Sequence, residues 1–201
     1  MVIQMTGTTK SRRELSALYK IIMPILKQIR VDTILFYGSL LGYHRESNFI
    51  EGDDDVDVLV SRTDFNKTVQ FLRVATYTPV SRKIYNCVGI TFNFWPDSRF
   101  NAWHETSLLQ VYYKGVGPFD IFAYDLIGDN VVVKSCSNHA FPKSVIFPTV
   151  PITFHDFPIY VPADVEKTVI LSYGKDWKSP KVKNKDYIWE KIPEVICLKD
   201  V

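Results

Sequence analysis

Four aspartates crowd one five-residue window, Asp53-Asp54-Asp55-Val56-Asp57, and the apolar run Val58-Leu59-Val60 follows directly. Few folds accommodate that order. A solvated acidic stretch has no need of an apolar tail. A strand that carries carboxylates on one face at its start and buries its other face does. Strand side chains alternate, so Asp55 and Asp57 point the same way with Cβ atoms about 7 Å apart, while Val56 and Val58 point into a core. Two carboxylates on one rigid face repel unless a positive charge lies between them. A hard divalent cation such as Mg2+ takes one or two carboxylates and fills its shell with water and phosphate oxygens, which suits that spacing. Taken alone, the window is equally compatible with an acidic surface turn. An EF-hand is not: Asp53, Asp55, Asp57 and Asp64 fall on loop positions 1, 3, 5 and 12, but Val58 occupies position 6, where the loop requires glycine. The preceding Asn48-Phe49-Ile50-Glu51-Gly52 also reads as a turn, where an EF-hand needs a helix.

Residues upstream favour the metal reading. Ile34-Leu35-Phe36-Tyr37 is a short apolar strand closed by Gly38-Ser39, and a helix-like stretch follows to Arg45. Backbone N–H groups at such a turn, together with the serine hydroxyl, suit a phosphate. A third carboxylate comes from Gly117-Pro118-Phe119-Asp120-Ile121-Phe122, where Asp120 stands between large apolar residues. Burying an acid there is costly unless it is paired or ligates a cation; the alternative is an exposed position on a half-buried strand. Asp125 is a neighbouring candidate that fits the strand less well. Gly-Ser for phosphate, two aspartates on one strand and a third on a neighbour make up the arrangement of the nucleotidyltransferase fold.

The stretch GSLLGYHRESNFIEGDDDVDVLV, residues 38–60, resembles the signature of the LicD/fukutin-related phosphotransferases. It matches at Gly38, Leu40, Leu41, Gly42, Arg45, Phe49, Ile50, Asp53, Asp54, Asp55 and Asp57. Phe119-Asp120-Ile121-Phe122 resembles that family's second acidic strand. Phe147-Pro148, Val161-Pro162 and Tyr173-Gly174-Lys175-Asp176-Trp177 with Pro180 resemble its C-terminal block, so the likeness covers roughly residues 15–180. The resemblance implies an α/β (α+β) fold, a nucleotidyltransferase-like mixed sheet flanked by helices, as one domain over residues 1–201. It implies Mg2+ or Mn2+ on Asp55, Asp57 and Asp120, which would also be the catalytic carboxylates, with Gly38, Ser39, Arg45 and Asp53 binding the donor. The implied reaction moves a phosphocholine- or phosphoribitol-like group from a CDP-linked donor to the hydroxyl of a glycan or glycoconjugate acceptor. Two other readings stay open: transfer of a nucleoside monophosphate from a triphosphate to a sugar, small molecule or RNA end, and a non-catalytic nucleotide- or glycan-binding module. Ser39 replaces the family's usual Thr and keeps the hydroxyl. Tyr43-His44 and Glu51-Gly52 depart from the pattern at positions expected to shape the donor pocket.

With 201 residues, 46% hydrophobic and 14% aromatic, the chain can bury a substantial core. Its net charge is +2 and its basic runs, Arg12-Arg13, Arg82-Lys83 and Lys181 to Lys185, are scattered, which argues against a nucleic-acid partner. No run nears the ~18 apolar residues of a membrane span, and no secretory layout stands at the N-terminus. Cys87, Cys136 and Cys197 are widely spaced and form neither a disulfide framework nor a zinc motif, which points to a reducing, cytoplasmic setting. His104, His139 and His155 read as structural, with His44 beside the phosphate segment as the exception. A capping box, Ser11 with Glu14, opens an amphipathic helix over residues 11–30 that Pro24 should kink. Further expectations are a helix over Asp64–Val74, strands over Val88–Phe94 and Leu108–Tyr113, extended segments through Phe141–Pro162, and a short helix over Asp164–Tyr173 capped by Gly174.

Overall fold

The computed structural model describes residues 9–95, 107–133 and 139–180. Helix α1 (Arg12–Gln28) starts where the capping box places it: Ser11 Oγ accepts the Glu14 N–H, and the Glu14 carboxylate accepts the Ser11 N–H at 2.9 Å. Leu15, Leu18, Tyr19, Ile22, Ile25 and Leu26 form its buried stripe, and the helix continues through Pro24.

Strand β1 (Ile34–Leu35) is two residues shorter than the apolar run suggests. Tyr37 takes φ +37°, which leaves the extended path, and the Leu40 N–H closes on the Phe36 carbonyl at 2.9 Å. Helix α2 (Tyr37–Glu46) therefore begins early and holds Gly38 and Ser39 in its first turn. Strand β2 (Val56–Ser61) follows, and Ser61 caps α3 (Arg62–Tyr77) by accepting the Asp64 N–H, so this helix starts two residues ahead of the expected Asp64 and outruns Val74. A short helix, α4 (Pro79–Ile84), leads to β3 (Ile90–Trp95). Next come β4 (Leu108–Tyr113), bounded as expected, β5 (Val116–Ile127), β6 (Asn130–Val133) and β7 (His139–Pro142). The proline-dense stretch holds one helical turn, α5 (Lys143–Ile146), and the hairpin β8 (Val150–Phe154) with β9 (Phe157–Val161). Helix α6 (Val165–Tyr173) is capped by the Asp164 side chain and ends at Gly174, where φ is +89°.

Among the described residues nine strands form one mixed sheet, ordered β3-β4-β5-β2-β1-β9-β8, with β6 and β7 continuing from the far part of β5. The pairs β2–β5 and β1–β9 are parallel, and the others are antiparallel. Alternation along the central strands sorts side chains into two cores. Val56, Val58, Val60, Phe119 and Ile121 join α1 and α3 on one face. Leu59, Phe122, Ile34 and Phe36 pack with Val131, Phe141 and Ile146 on the other. No helix among the described residues is long and apolar enough to cross a membrane.

Candidate metal centre

Parallel pairing of β2 with β5 sets Asp57 directly beside Asp120. Both share the face of Leu59 and Phe122, and both are nearly closed off, at 5% and 6% exposure. Asp55 precedes β2 by one residue and points the same way, so oxygens of Asp55, Asp57 and Asp120 lie within 4.8 Å of one another. The strand reading of the acidic window is thus realised, with Val56 and Val58 fully buried opposite. Asp125, the competing acid, is taken by Arg62, whose Nε and Nη2 donate to its two oxygens at 3.2 and 2.9 Å.

The acidic turn is held from two sides. Oxygens of Asp53, Asp54 and Asp55 also converge within 4.8 Å. Lys10 exchanges backbone hydrogen bonds with the turn: its N–H donates to the Asp53 carbonyl at 2.8 Å, and its carbonyl accepts the Gly52 N–H at 3.0 Å. Its buried ammonium donates to the Asp54 carbonyl at 2.6 Å, placing a positive charge against a cluster of negative ones. Sequence reasoning missed Lys10, because its partner lies more than forty residues away in the chain.

Helix α2 and strand β2 clamp each other at the site. The residue before α2, Phe36, has no side chain with which to cap the helix. Asp57 supplies the cap from another element, its Oδ2 accepting the Gly38 N–H at 2.8 Å, a charge well placed at a helix N-terminus. In return Ser39, buried, accepts the Asp57 N–H on Oγ at 2.9 Å. Gly38 is needed for this approach, since a Cβ there would stand 2.7 Å from Asp53 Oδ2 and 3.1 Å from Asp57 Oδ2. Gly42, a second glycine of the signature, lets residues 48–50 lie against the helix; a Cβ would meet the Asn48 carbonyl at 2.5 Å.

A polar row also crosses the sheet. Asn93, Gln110, Asp120 and Asp57 stand side by side on β3, β4, β5 and β2. Gln110 Nε2 donates to the Asp120 oxygens at 3.1 and 3.4 Å, and the Tyr112 hydroxyl donates to Gln110 Oε1 at 3.2 Å. Burial raises the Tyr112 pKa, the Asp120 charge adds to that, and a hydrogen bond from Asn93 opposes both. The chain orients its donors towards Asp120 and fixes that carboxylate. Sequence reasoning missed Gln110 as well, although an amide in the middle of LLQVYY carries the same signal that singled out Asp120.

Other sequence candidates go elsewhere. Arg45 lies at the far end of α2, about 10 Å of helical rise beyond Gly38, and its Nη2 donates to the Ser179 carbonyl at 3.3 Å. The structure therefore brings Gly38, Ser39 and Asp53 to the carboxylates but does not bring Arg45. His44 packs on Trp177 with ring centroids 4.7 Å apart, Tyr43 packs on Phe154, and Glu51 faces Arg12. Tyr43 and His44 thus tie α2 to β8 and to the C-terminal block, and Glu51 ties the turn after α2 to α1. His104, Cys136, Cys197 and Lys181 to Lys185 lie outside the described residues.

Three carboxylates without histidine or cysteine form a hard oxygen donor set, which fits Mg2+ or Mn2+ in preference to softer ions. No curated protein matches the chain. Among solved structures, that of a lincosamide antibiotic adenylyltransferase, LnuA, with lincomycin bound, is similar over 81% of this chain and 85% of its own, at 13% identity and a TM-score of 0.48. A family model described as LicD/FKTN/FKRP, nucleotidyltransferase domain, matches residues 30–164, which contain the three carboxylates and the start of α2. By that match over most of its length, the chain belongs to the LicD/FKTN/FKRP nucleotidyltransferase-domain family.

Proposed function

We propose that this protein transfers a phospho-alcohol group, phosphocholine- or phosphoribitol-like, from a CDP-activated donor to a hydroxyl of a glycan or glycoconjugate. The observation that carries the reading is the convergence of Asp55, Asp57 and Asp120 beside the N-terminus of α2, within a chain of this family. Asp55, Asp57 and Asp120 would hold Mg2+ or Mn2+, which would neutralise the donor's phosphates and the charge that develops on transfer. Asp53 and the positive end of α2 flank the donor's phosphates, with Gly38 providing close backbone approach and Ser39 keeping that helix end on β2. Asp120, oriented by Gln110, accepts the acceptor's hydroxyl proton at a carboxylate oxygen. The acceptor oxygen bonds to the phosphorus carrying the alcohol, the bond to the bridging oxygen breaks, and CMP departs.

The test is transfer by the purified protein from CDP-choline and CDP-ribitol to glycan acceptors, with CMP measured as product. Asp57→Asn should abolish transfer with circular dichroism unchanged. Pyrophosphate release from CTP, UTP or ATP, with no CMP from the CDP-alcohols, would replace this reading by nucleoside monophosphate transfer.

A further inference from the structure

We propose that the end of α3, helix α4 and the adjoining β4–β5 turn form a docking surface for an anionic lipid membrane. Nine large apolar side chains are exposed among the described residues, and five of them, Val74, Tyr77, Val80, Ile84 and Val88, fall within one short stretch. Tyr77 is 86% exposed, and Val80 and Ile84, one helical turn apart on α4, are 67% and 66% exposed. Helix α4 buries none of its residues, so it adds nothing to either core. A depression of about 450 Å³, lined by Arg73, Val74, Tyr77, Thr78 and Ser81, joins the two helices. Val116 extends the surface, because the Lys114 N–H donates to the Gly89 carbonyl at 2.8 Å and brings that turn against Val88.

Charge selects the occupant. From Phe65 to Trp95 there is no aspartate or glutamate, whereas Arg73, Arg82 and Lys83 stand among the exposed apolar residues. Arg82 is anchored, its Nε donating to the Thr76 carbonyl at 3.0 Å at the end of α3. Lys114 adds a fourth cation beside Gly89. Apolar side chains interleaved with cations match the boundary between acyl chains and anionic headgroups, which takes both at once. A polyanion such as RNA would leave Tyr77, Val80 and Ile84 without a partner. A twofold dimer through the same face would set these cations against their own copies.

Topology gives the surface its use. Helix α3 starts directly after β2 and packs back along the sheet, and β3 begins opposite Tyr113 and Val116. The surface therefore lies at the end of the sheet where Asp57 and Asp120 sit, near the starts of β2 and β5. Docking there would set the membrane against that end of the sheet, on the face opposite to Asp57 and Asp120.

The experiment is cosedimentation of the full chain with vesicles of phosphatidylcholine alone and of phosphatidylcholine with about 30% phosphatidylglycerol, without donor or divalent ion, so its outcome is independent of the transfer reading. Binding is expected on the anionic vesicles, at least about tenfold tighter than on neutral ones, and weakened between about 0.1 and 0.5 M salt. Each basic residue at such a surface is worth about fivefold, so Arg82→Gln with Lys83→Gln should cost about twenty-five-fold. Val80→Ser with Ile84→Ser should cost at least about tenfold. Leu126→Ser with Ile127→Ser, at the far end of β5, should leave binding unchanged, and melting curves check that each variant is folded. The proposal is overturned by absent binding, by equal binding to both vesicles, or by an equal loss in the Leu126 and Ile127 variant. It is also overturned if sedimentation shows a dimer that the Val80 and Ile84 variant dissolves, which would give the face to a second copy.

Discussion

Replacing Asp120 by Asn should stabilise the protein when divalent ions are removed and destabilise it relative to wild type when they are supplied. Asp120 and Asp57 hold like charges within 4.8 Å on strands that cannot separate without losing their ladder. At that distance and an effective dielectric constant of about 20, the repulsion is about 3.5 kcal/mol. Asn keeps the shape and still accepts from Gln110, but a hydrogen bond to a charged group contributes about 1.5–3 kcal/mol against about 0.5–1.5 for a neutral one, a loss of about 1.5. The difference leaves the variant about 2 kcal/mol more stable in chelator, or about 4–8 °C in Tm for a chain of this length. With ion at a hundred times its Kd, wild type gains about 2.7 kcal/mol, and the variant, with one ligand fewer, gains much less. Thermal and urea melts of both proteins in EDTA, Mg2+ and Mn2+ measure the crossing. A variant less stable than wild type in EDTA, or an equal gain for both proteins on adding ion, would refute the idea that the sheet forces these carboxylates together for a cation.

Gly38→Ala should leave the fold within about 1 kcal/mol, because alanine's helix preference of about 0.5–1 kcal/mol offsets part of the crowding, yet weaken Mn2+ binding at least about tenfold. Calorimetric titration reads this, and unchanged affinity would remove Gly38 from the site. Gln110→Leu should cost about 1.5–3 kcal/mol in EDTA by depriving the Asp120 carboxylate of a donor, and less with Mn2+ bound; equal losses in the two conditions would mark Gln110 as packing alone. His139 and His155 both have pKa values lowered first by burial, with Lys20 also lowering that of His155 and Asp156 opposing. The folded state thus resists protonation that the unfolded chain accepts near pH 6.5, so stability is full above about pH 6.5 and falls as pH drops below it. Melts from pH 7.5 to about 5 should show a shallower decline for His139→Phe than for wild type, and parallel curves would place the pH dependence elsewhere.

The carboxylate site was legible because strand alternation is a property of consecutive residues: the spacing of Asp55, Asp57, Val56 and Val58 fixes their faces without knowledge of any partner strand. Asp120 was legible for a similar reason, as an acid placed where burial is costly. The start of α2 was not, because Phe36 and Tyr37 read as strand until Tyr37 takes a positive φ beside Phe36 and Phe122. Lys10 and Gln110 depend on which segments lie side by side, which no local pattern encodes. The signature glycines were recognised as a pattern before their reason was visible. Gly38 admits the carboxylates and Gly42 admits the 48–50 backbone. Arg45 shows the converse, a residue matching the signature whose guanidinium is engaged with the 174–180 segment.

Asp57 and Asp120 lie about a third of the chain apart and meet through a parallel pair of strands. Parallel neighbours cannot zip from a tight turn; the intervening helices and hairpin must fold back before β5 can lie against β2. The third carboxylate therefore arrives late in assembly, and a cation bound to all three would not template the early steps. A cation held there would act as a latch on a finished sheet, lengthening the life of the native state while leaving the time taken to reach it unchanged.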